Sequence, residues 1–472
     1  MPDPGAARSF WIEEALRHDP GEPCPPLDAN VVADVSIVGG GFAGLWTAVR
    51  LNERDPSLRI VLLEQDIVGG GASGRNGGFF SSSWWDLDAL IGLFGQEEGL
   101  RYALALADSV AEAEQFCATN GIDCWFHRDG TLGVRAGGWQ DGIGRSEAVE
   151  LCARLGLADR MVPLTAAEAR AYADSPLFLG GAFIPDAAVV QPARLARGLR
   201  RLLLDRGVRI YERSRVVDVE RSIPAIVRTE HGAVRADRIV LTHGSWAAGW
   251  REFHRSFAVV VDYVVVTEPI PELLKEIGWT SHVGIGDGRE WLCYLRPTED
   301  GRIAIGGGAG AVAYGGHANG RAVTHDRRVA EVAARGLLTM FPQLQGTRFT
   351  HAWGGPIDMT ATFVPFYRTL RPGTIHAGLG YSGHGLSQTF IGGKILASIV
   401  LGIEDEWTSL GVNRREAMKV PPEPIRWVGV NAIARSLERG DAREEAGKSR
   451  GRLNQLVGSI PNVVRDRLVA RG

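Results

Sequence analysis

Residues 35–44 read VSIVGGGFAG. Gly39, Gly41 and Gly44 follow an apolar run, Val35–Val38, with the spacing G-x-G-x-x-G, and Phe42 to Arg50 opens a helical pattern. Glycine is needed at each of the three positions for a different reason. Gly39 permits a tight strand-to-helix turn, Gly41 lets a pyrophosphate approach the backbone, and Gly44 lets helix and strand pack closely. The helix start, with the amides of Phe42, Ala43 and Gly44, then offers free N–H groups and a positive dipole end to phosphate. A second apolar run, Arg59–Leu63, ends at Glu64, with Gln65 beside it. A carboxylate there accepts hydrogen bonds from a ribose diol and repels a phosphate on that ribose, which disfavours NADP. Strand, turn, helix and acid in this order predict a dinucleotide-binding βαβ unit.

A chain of 472 residues exceeds one ordinary core, so two domains are expected. The 61 glycines suit many tight turns and close backbone–ligand approaches. Net charge is −3, which gives no electrostatic case for nucleic acid. No apolar run approaches the ~18 residues of a membrane span, and the first twenty residues show no secretory pattern. Cys24, Cys117, Cys124, Cys152 and Cys293 are scattered and never form C-x-x-C, so neither a disulfide framework nor a metal site is expected. A reducing cytoplasm is the simplest setting. Lysine is confined to Lys275, Lys394, Lys419 and Lys448.

Further along, Gln96 to Asn120 has helical spacing and ends at Gly121. Ala193–Arg206 reads as a basic amphipathic helix ended by Gly207. Strand-like runs follow and close on ADRIVLTHGSWA, an apolar strand entering a glycine turn. Residues 255–345 hold another strand-rich block and a helix over Thr324–Thr339. Gly373–Gly402 repeats the order strand, glycine turn, helix. Phe10 and Trp11 would anchor the Pro-rich N-terminus, and Ile425–Leu437 is an amphipathic segment of the tail.

Three more strings complete the pattern: GGGASGRNGGFF (Gly69–Phe80), YLRPTEDGRIAIGGG (Tyr294–Gly308) and GLGYSGHGLSQ (Gly378–Gln388). With the first glycine motif they resemble the D-amino-acid oxidase/glycine oxidase/sarcosine oxidase superfamily of FAD proteins. The G-A-S-G-R-N-G-G string is most similar to the γ-glutamylputrescine oxidoreductase branch. The resemblance covers roughly residues 30–405. It implies an α/β fold: a glutathione-reductase-type, Rossmann-like FAD-binding domain interleaved with an α+β substrate domain on a mainly antiparallel sheet. The expected boundaries are an N-terminal arm at 1–30, a discontinuous FAD domain at 31–85, 190–252 and 346–405, a substrate domain at 86–189 and 253–345, and a tail at 406–472.

On this resemblance, Gly71, Ala72, Ser73, Arg75, Asn76 and Gly77 wrap the second half of the pyrophosphate and the flavin edge. Val216 meets the adenine with its backbone, and Thr242, Gly244 and Trp246 close over the cofactor. Gly380, Gly383, His384, Gly385 and Leu386 bring a second helix N-terminus to the pyrimidine end of the flavin, where a positive dipole end stabilises the reduced anion. His384 either tunes the flavin, with a further candidacy for acid–base catalysis, or holds the glycine turn. Cys293 lies seven residues before Asp300, the spacing of a covalent flavin tether in some sarcosine oxidases; a buried apolar cysteine is the alternative. Ser387 stands where sarcosine oxidases carry a carboxylate-gripping lysine, and a hydroxyl is a poor partner for a buried carboxylate. Arg296 is a substitute candidate.

The implied activity is oxidation of a C–N bond in a secondary amine, polyamine derivative or amino acid. Hydride passes to flavin, and the imine hydrolyses. The amine must shed its proton first, and a dry aromatic site favours the neutral form. Orientation and dryness are then the protein's task, with no strong acid or base required. Trp84, Trp85, Trp353 and Tyr381, with Ser387, are the candidates for the substrate wall; other aromatics, Tyr294 among them, are core by default. Dioxygen or another acceptor takes the electrons. An NAD(P)H-using flavin monooxygenase and a flavoprotein subunit are the competing readings.

Overall fold

The computed structural model describes residues 8–135, 145–287, 293–307, 310, 312–324, 326–371, 374–445, 448–449 and 451–460. Its centre is a parallel sheet. Strand Asn30–Val38 pairs in parallel with Ile60–Leu63 on one side and Ala233–Leu241 on the other. Arg209–Tyr211 and Ile375–Leu379 extend the sheet in parallel, and Phe366–Arg371 closes one edge antiparallel. Helices cover both faces of such a sheet, so its strands read as unbroken apolar runs (VSIV, IVLL, RIVL) without alternation. The hairpin Val216–Glu220/Ala225–Thr229 attaches to the early half of Ala233–Leu241.

Helices Phe42–Arg54 and Gly385–Leu401 pack against one another on one face of this sheet. The contact depends on Gly393, where an added methyl group would stand 2.6 Å from Cβ of Trp46 and 2.7 Å from its carbonyl carbon. Both helices start at the edge where the parallel strands end. Val38, Leu63, Leu241 and Leu379 lead into Gly39, Glu64, Thr242 and Gly380 on that edge. Two strand spacings separate the first strand from Ile375–Leu379, so the two glycine turns lie about 10 Å apart across the sheet.

The second sheet runs, in spatial order, Phe349–Met359, Ala258–Thr267, Ile303–Gly306, Tyr294–Pro297, Gly284–Asp287, Thr131–Val134, Gly181–Ile184 and Val162–Leu164. It is antiparallel except where Gly284–Asp287 meets Thr131–Val134. Helix Arg327–Met340 buries Val329, Ala333 and Leu337 in the core on one face. The other face presents Val264, Val266, Ala304 and Trp353 to the helix Phe10–His18, whose Phe10, Trp11 and Ile12 fill the seam.

Several sequence expectations shift. Phe349–Met359 pairs along its length with Ala258–Thr267, so the second sheet extends past the expected boundary at residue 345 to Met359. Gly354 and Gly355 sit inside this ladder, opposite Tyr263 and Asp262, and a methyl group on Gly354 would stand 2.0 Å from the Val323 carbonyl oxygen. The N-terminal arm contains a helix, capped by Ser9, whose hydroxyl accepts from the Ile12 N–H at 3.2 Å. The segment expected over Thr324–Thr339 divides into Arg321–Thr324 and Arg327–Met340. The tail helix runs to Glu445.

Replacing Gly393 with valine should push the two helices apart and cost about 1–3 kcal/mol or more, as overpacking does. Urea unfolding of the variant measures that loss, and its retention of a bound dinucleotide should fall in parallel.

Candidate active site

The sheet edge carries three groups of backbone amides that include ones unpaired among the described residues. The first is the start of helix Phe42–Arg54. Gly39 adopts φ +110°, and a methyl group there would lie 2.7 Å from the Thr242 carbonyl oxygen. A methyl on Gly44 would stand 2.1 Å from the Gly39 carbonyl oxygen, so this helix meets its strand only through glycine. Thr242 locks the turn, its Oγ1 donating to Val38 O at 3.0 Å. The Phe42 N–H donates to Ser73 Oγ at 2.8 Å, while the amides of Ala43 and Gly44 find no acceptor among the described residues.

Glu64 sits at the next strand end. Its two oxygens accept from the N–H groups of Gly40 (2.8 Å) and Asp66 (2.9 Å), and desolvation raises its carboxyl to about 7. Gln65 is half-buried in the bend that follows. Ser214 N–H donates to the Glu64 carbonyl at 2.7 Å, which brings half-buried Val216 to the same corner.

The second group is the loop 69–78. Three carbonyls in succession are held from distant elements: Gly74 O by Ser9 Oγ (2.5 Å), Arg75 O by Trp353 Nε1 (2.8 Å) and Asn76 O by Trp11 Nε1 (2.9 Å). Asn76 and Arg75 brace the loop from within. Asn76 Nδ2 donates to Ala72 O and Ser73 O and its Oδ1 accepts from Gly78 N–H, while Arg75 reaches Gly70 O at 3.0 Å and Gly354 O at 3.3 Å. Desolvation lowers the pKa of Arg75. The N–H groups of Asn76 and Gly77 have no acceptor among the described residues. Ala72 is exposed and Ser73 half-buried, and the Trp246 ring covers Gly71 while its indole N–H donates to Asn319 at 2.8 Å. Gly244, at φ +52°, begins the turn that carries Trp246 there.

The third group is the start of helix Gly385–Leu401. Gly380 (φ +83°) and Gly383 (φ +89°) shape the turn. The Gly380 N–H donates to Asp358 Oδ2 at 2.6 Å. Ser382 is itself left-handed, at φ +52°, and braces the turn through Gly380 O and Thr360 N, both at 3.0 Å. Burial raises Asp358 to about 6. Asp358 lies twenty-two residues before Gly380, outside any glycine string, and sequence reading missed it. The amides of Gly385 and Leu386 lack acceptors among the described residues, and a methyl on Gly385 would meet nothing within 4 Å. His384 caps this helix without a side-chain hydrogen bond; its exposed ring lies 3.8 Å from Asp86 Oδ2, so the ring does not hold the turn.

Four expectations need correction. Cys293 shares a core with Leu295 beneath helix Arg327–Met340, whereas its neighbours Tyr294 and Arg296 face Gly77 and Gly78. Period-2 alternation therefore directs its thiol away from loop 69–78 and into the core, against the tether. Trp84 has no exposure and donates to Asp186 Oδ2 at 3.2 Å, so it is core and not wall. Trp353, at 1% exposure, braces Arg75 O as described. The Tyr381 hydroxyl lies against Gly378 and Gly392, between sheet and helix. Trp85 is half-buried, and Ser387 is buried in the first turn of its helix. Arg296 lies under Trp11, 4.9 Å from the ring centroid, and desolvation lowers its pKa to about 9. Away from the cleft, His127, His282 and Glu299 offer ligand atoms within 4.8 Å of one another. The two imidazoles stack 3.6 Å apart at 7°, and one ion cannot lie in both ring planes.

Amides without acceptors, a carboxylate at the second strand end and glycines whose side chains would fill the cradle together fit a dinucleotide at the carboxyl edge of the sheet. Glu64 gives a signed test. Its folded pKa exceeds the ordinary carboxylate value, so the folded state holds an extra proton between about pH 4.5 and 7, and the group's contribution to stability falls as pH rises through that window. Glu64→Gln should therefore gain on wild type from pH 5 to pH 8 in thermal unfolding of the cofactor-free protein; the opposite trend would contradict the assignment.

Comparison with known proteins agrees with this geometry. The chain is similar to a probable oxidoreductase, OrdL, of Haemophilus influenzae, with 26% identity over 405 residues, 84% of this chain and 88% of that one. It is 28% identical over 398 residues to the gamma-glutamylputrescine oxidoreductase of Escherichia coli, covering 84% and 89% of the two chains. Among solved structures, glycine oxidase from Geobacillus kaustophilus superposes with a TM-score of 0.65 at 20% identity, covering 82% of this chain and all of that one, which shows a shared fold. Residues 34–399 match the family described as DAO: FAD dependent oxidoreductase, and the chain belongs to that family of flavoenzymes.

Proposed function

We propose that this FAD-dependent oxidoreductase oxidises the C–N bond of an extended amine, a secondary amine or a polyamine derivative, in preference to a small α-amino acid. The observation that supports the preference is Ser387. It is buried in the turn where a carboxylate-gripping lysine would stand, and Arg296 is folded beneath Trp11 at 1% exposure. The similarity to an enzyme named for γ-glutamylputrescine points the same way.

The residues for holding FAD follow from the site. Amides at the start of helix Phe42–Arg54 and in the loop at Asn76–Gly77 would take the pyrophosphate, Glu64 the ribose diol, and the helix start at Gly385 the flavin's pyrimidine edge. Bound FAD supplies a two-electron acceptor for the hydride beside nitrogen. This chain's residues orient the amine over loop 69–78 and exclude water from the seam between the two sheets.

No lysine stands over that loop. Lys394 pairs with Glu112 at 2.5 Å and lies 4.1 Å from the Trp407 ring centroid, Lys275 pairs with Glu272 at 3.1 Å, and Lys419 and Lys448 are exposed. The reading therefore includes an electron acceptor other than dioxygen.

The test is an anaerobic titration of the purified yellow protein with a panel of amines. Secondary amines and N-acylated diamines should bleach the flavin band at least tenfold faster than glycine or sarcosine. Bleaching by NADPH alone, or by glycine and sarcosine first, would overturn the reading.

A further inference from the structure

Strand Ala258–Thr267 places Val261, Tyr263 and Val265 in the core beneath helix Arg327–Met340 and turns Asp262, Val264 and Val266 toward the nucleotide-binding side. Asp262 is partly exposed on that face, and so is Tyr294; Val261, Tyr263, Val264 and Leu295 around them are buried. The phenol of Tyr294 donates to Asp262 Oδ2, and Oδ1 accepts from the Tyr263 N–H at 2.9 Å.

Tyr294 reaches Asp262 only because two glycines clear its path. The ring lies across the intervening strand at Gly306, where a methyl group would stand 2.0 Å from Cζ. Its edge meets Gly77 of the loop, where a methyl would stand 2.3 Å from Cε2. Opposite Asp262 in the ladder is Gly355, against which Cβ of Arg75 packs. The pair therefore lies over the loop that fits the flavin. Among the described residues, no arginine, lysine or histidine forms an ion pair with Asp262. The titratable groups facing it are Tyr294 and, across Gly355, Arg75.

We propose that Asp262, oriented by Tyr294, is the amine-binding residue of the active site: its carboxylate pairs with the substrate's ammonium group and accepts one proton from it. This rests on the amine-oxidation reading above. In the step, an N–H bond breaks and an O–H bond forms on Asp262. The freed nitrogen lone pair then becomes the second bond of C=N as hydride leaves the adjacent carbon with both electrons for the flavin. A carboxylate without an ion-pair partner among the described residues, on a water-poor face, suits the binding of a cationic amine. Burial has already raised the Asp262 carboxyl to about 6, which narrows its gap to the amine.

The experiment compares wild type, Asp262→Asn and Tyr294→Phe holoenzymes, with flavin content measured first. Anaerobic flavin reduction by a secondary amine is followed by stopped flow from pH 6 to pH 10. Asp262→Asn should retain flavin and slow reduction by about 10²-fold or more at pH 7, with the deficit shrinking toward pH 10, where solution already supplies neutral amine. Tyr294→Phe should show a smaller deficit with the same trend. An Asp262→Asn rate equal to wild type at pH 7, or a deficit uniform across pH, overturns the proposal. Should Asp262→Asn lose its flavin, Tyr294→Phe is judged by the same pH criterion. Wild type that no amine bleaches would sink amine oxidation itself, a failure distinct from an Asp262 that does nothing.

Discussion

The structure depends on a set of backbone N–H groups that find no partner among the described residues along one edge of a parallel sheet. Buried or half-buried amides in this condition are costly, and native proteins keep them where a ligand completes the bonding. Here they come from the loop 69–78 and from two helix starts, the latter shaped by Gly39, Gly44 and Gly380, where close neighbours leave no room for a side chain. The parallel register puts these turns on one edge, and the glycine contact at Gly393 keeps the two helices close enough to face a single elongated ligand.

The second sheet and the N-terminal helix finish the arrangement. Ser9, Trp353 and Trp11 each take one carbonyl of Gly74–Asn76, three residues in a row. Turning those carbonyls outward leaves the amides of Asn76 and Gly77 to the cleft. The N-terminal helix is thus continuous with loop 69–78 in its bonding, though it lies outside the matched family region, which begins at residue 34. Trp11 also lies over Arg296 and meets Trp353 edge to face at 6.0 Å, so one indole joins the loop to the second sheet.

Much of the nucleotide-binding half was legible because its information is local. A turn that needs φ above zero must show glycine, and a strand buried on both faces must show an apolar run. What escaped depends on register between distant segments. Asp358 caps Gly380 from another strand, and Tyr294 meets Asp262 only by crossing Gly306. As single residues these look ordinary. For Cys293 strand parity favours the buried apolar alternative over the tether, and Trp84 and Trp353 differ from expectation because a tryptophan suits a core as well as a wall.

The most direct test of this account is a titration of cofactor-free protein with FAD, FMN and riboflavin, followed by flavin fluorescence. A cradle of amides for a pyrophosphate predicts one FAD per chain and riboflavin binding weaker by at least about 10³-fold, since several charge-assisted hydrogen bonds are lost. Equal affinity for FAD and riboflavin, or no saturable FAD binding, would contradict it.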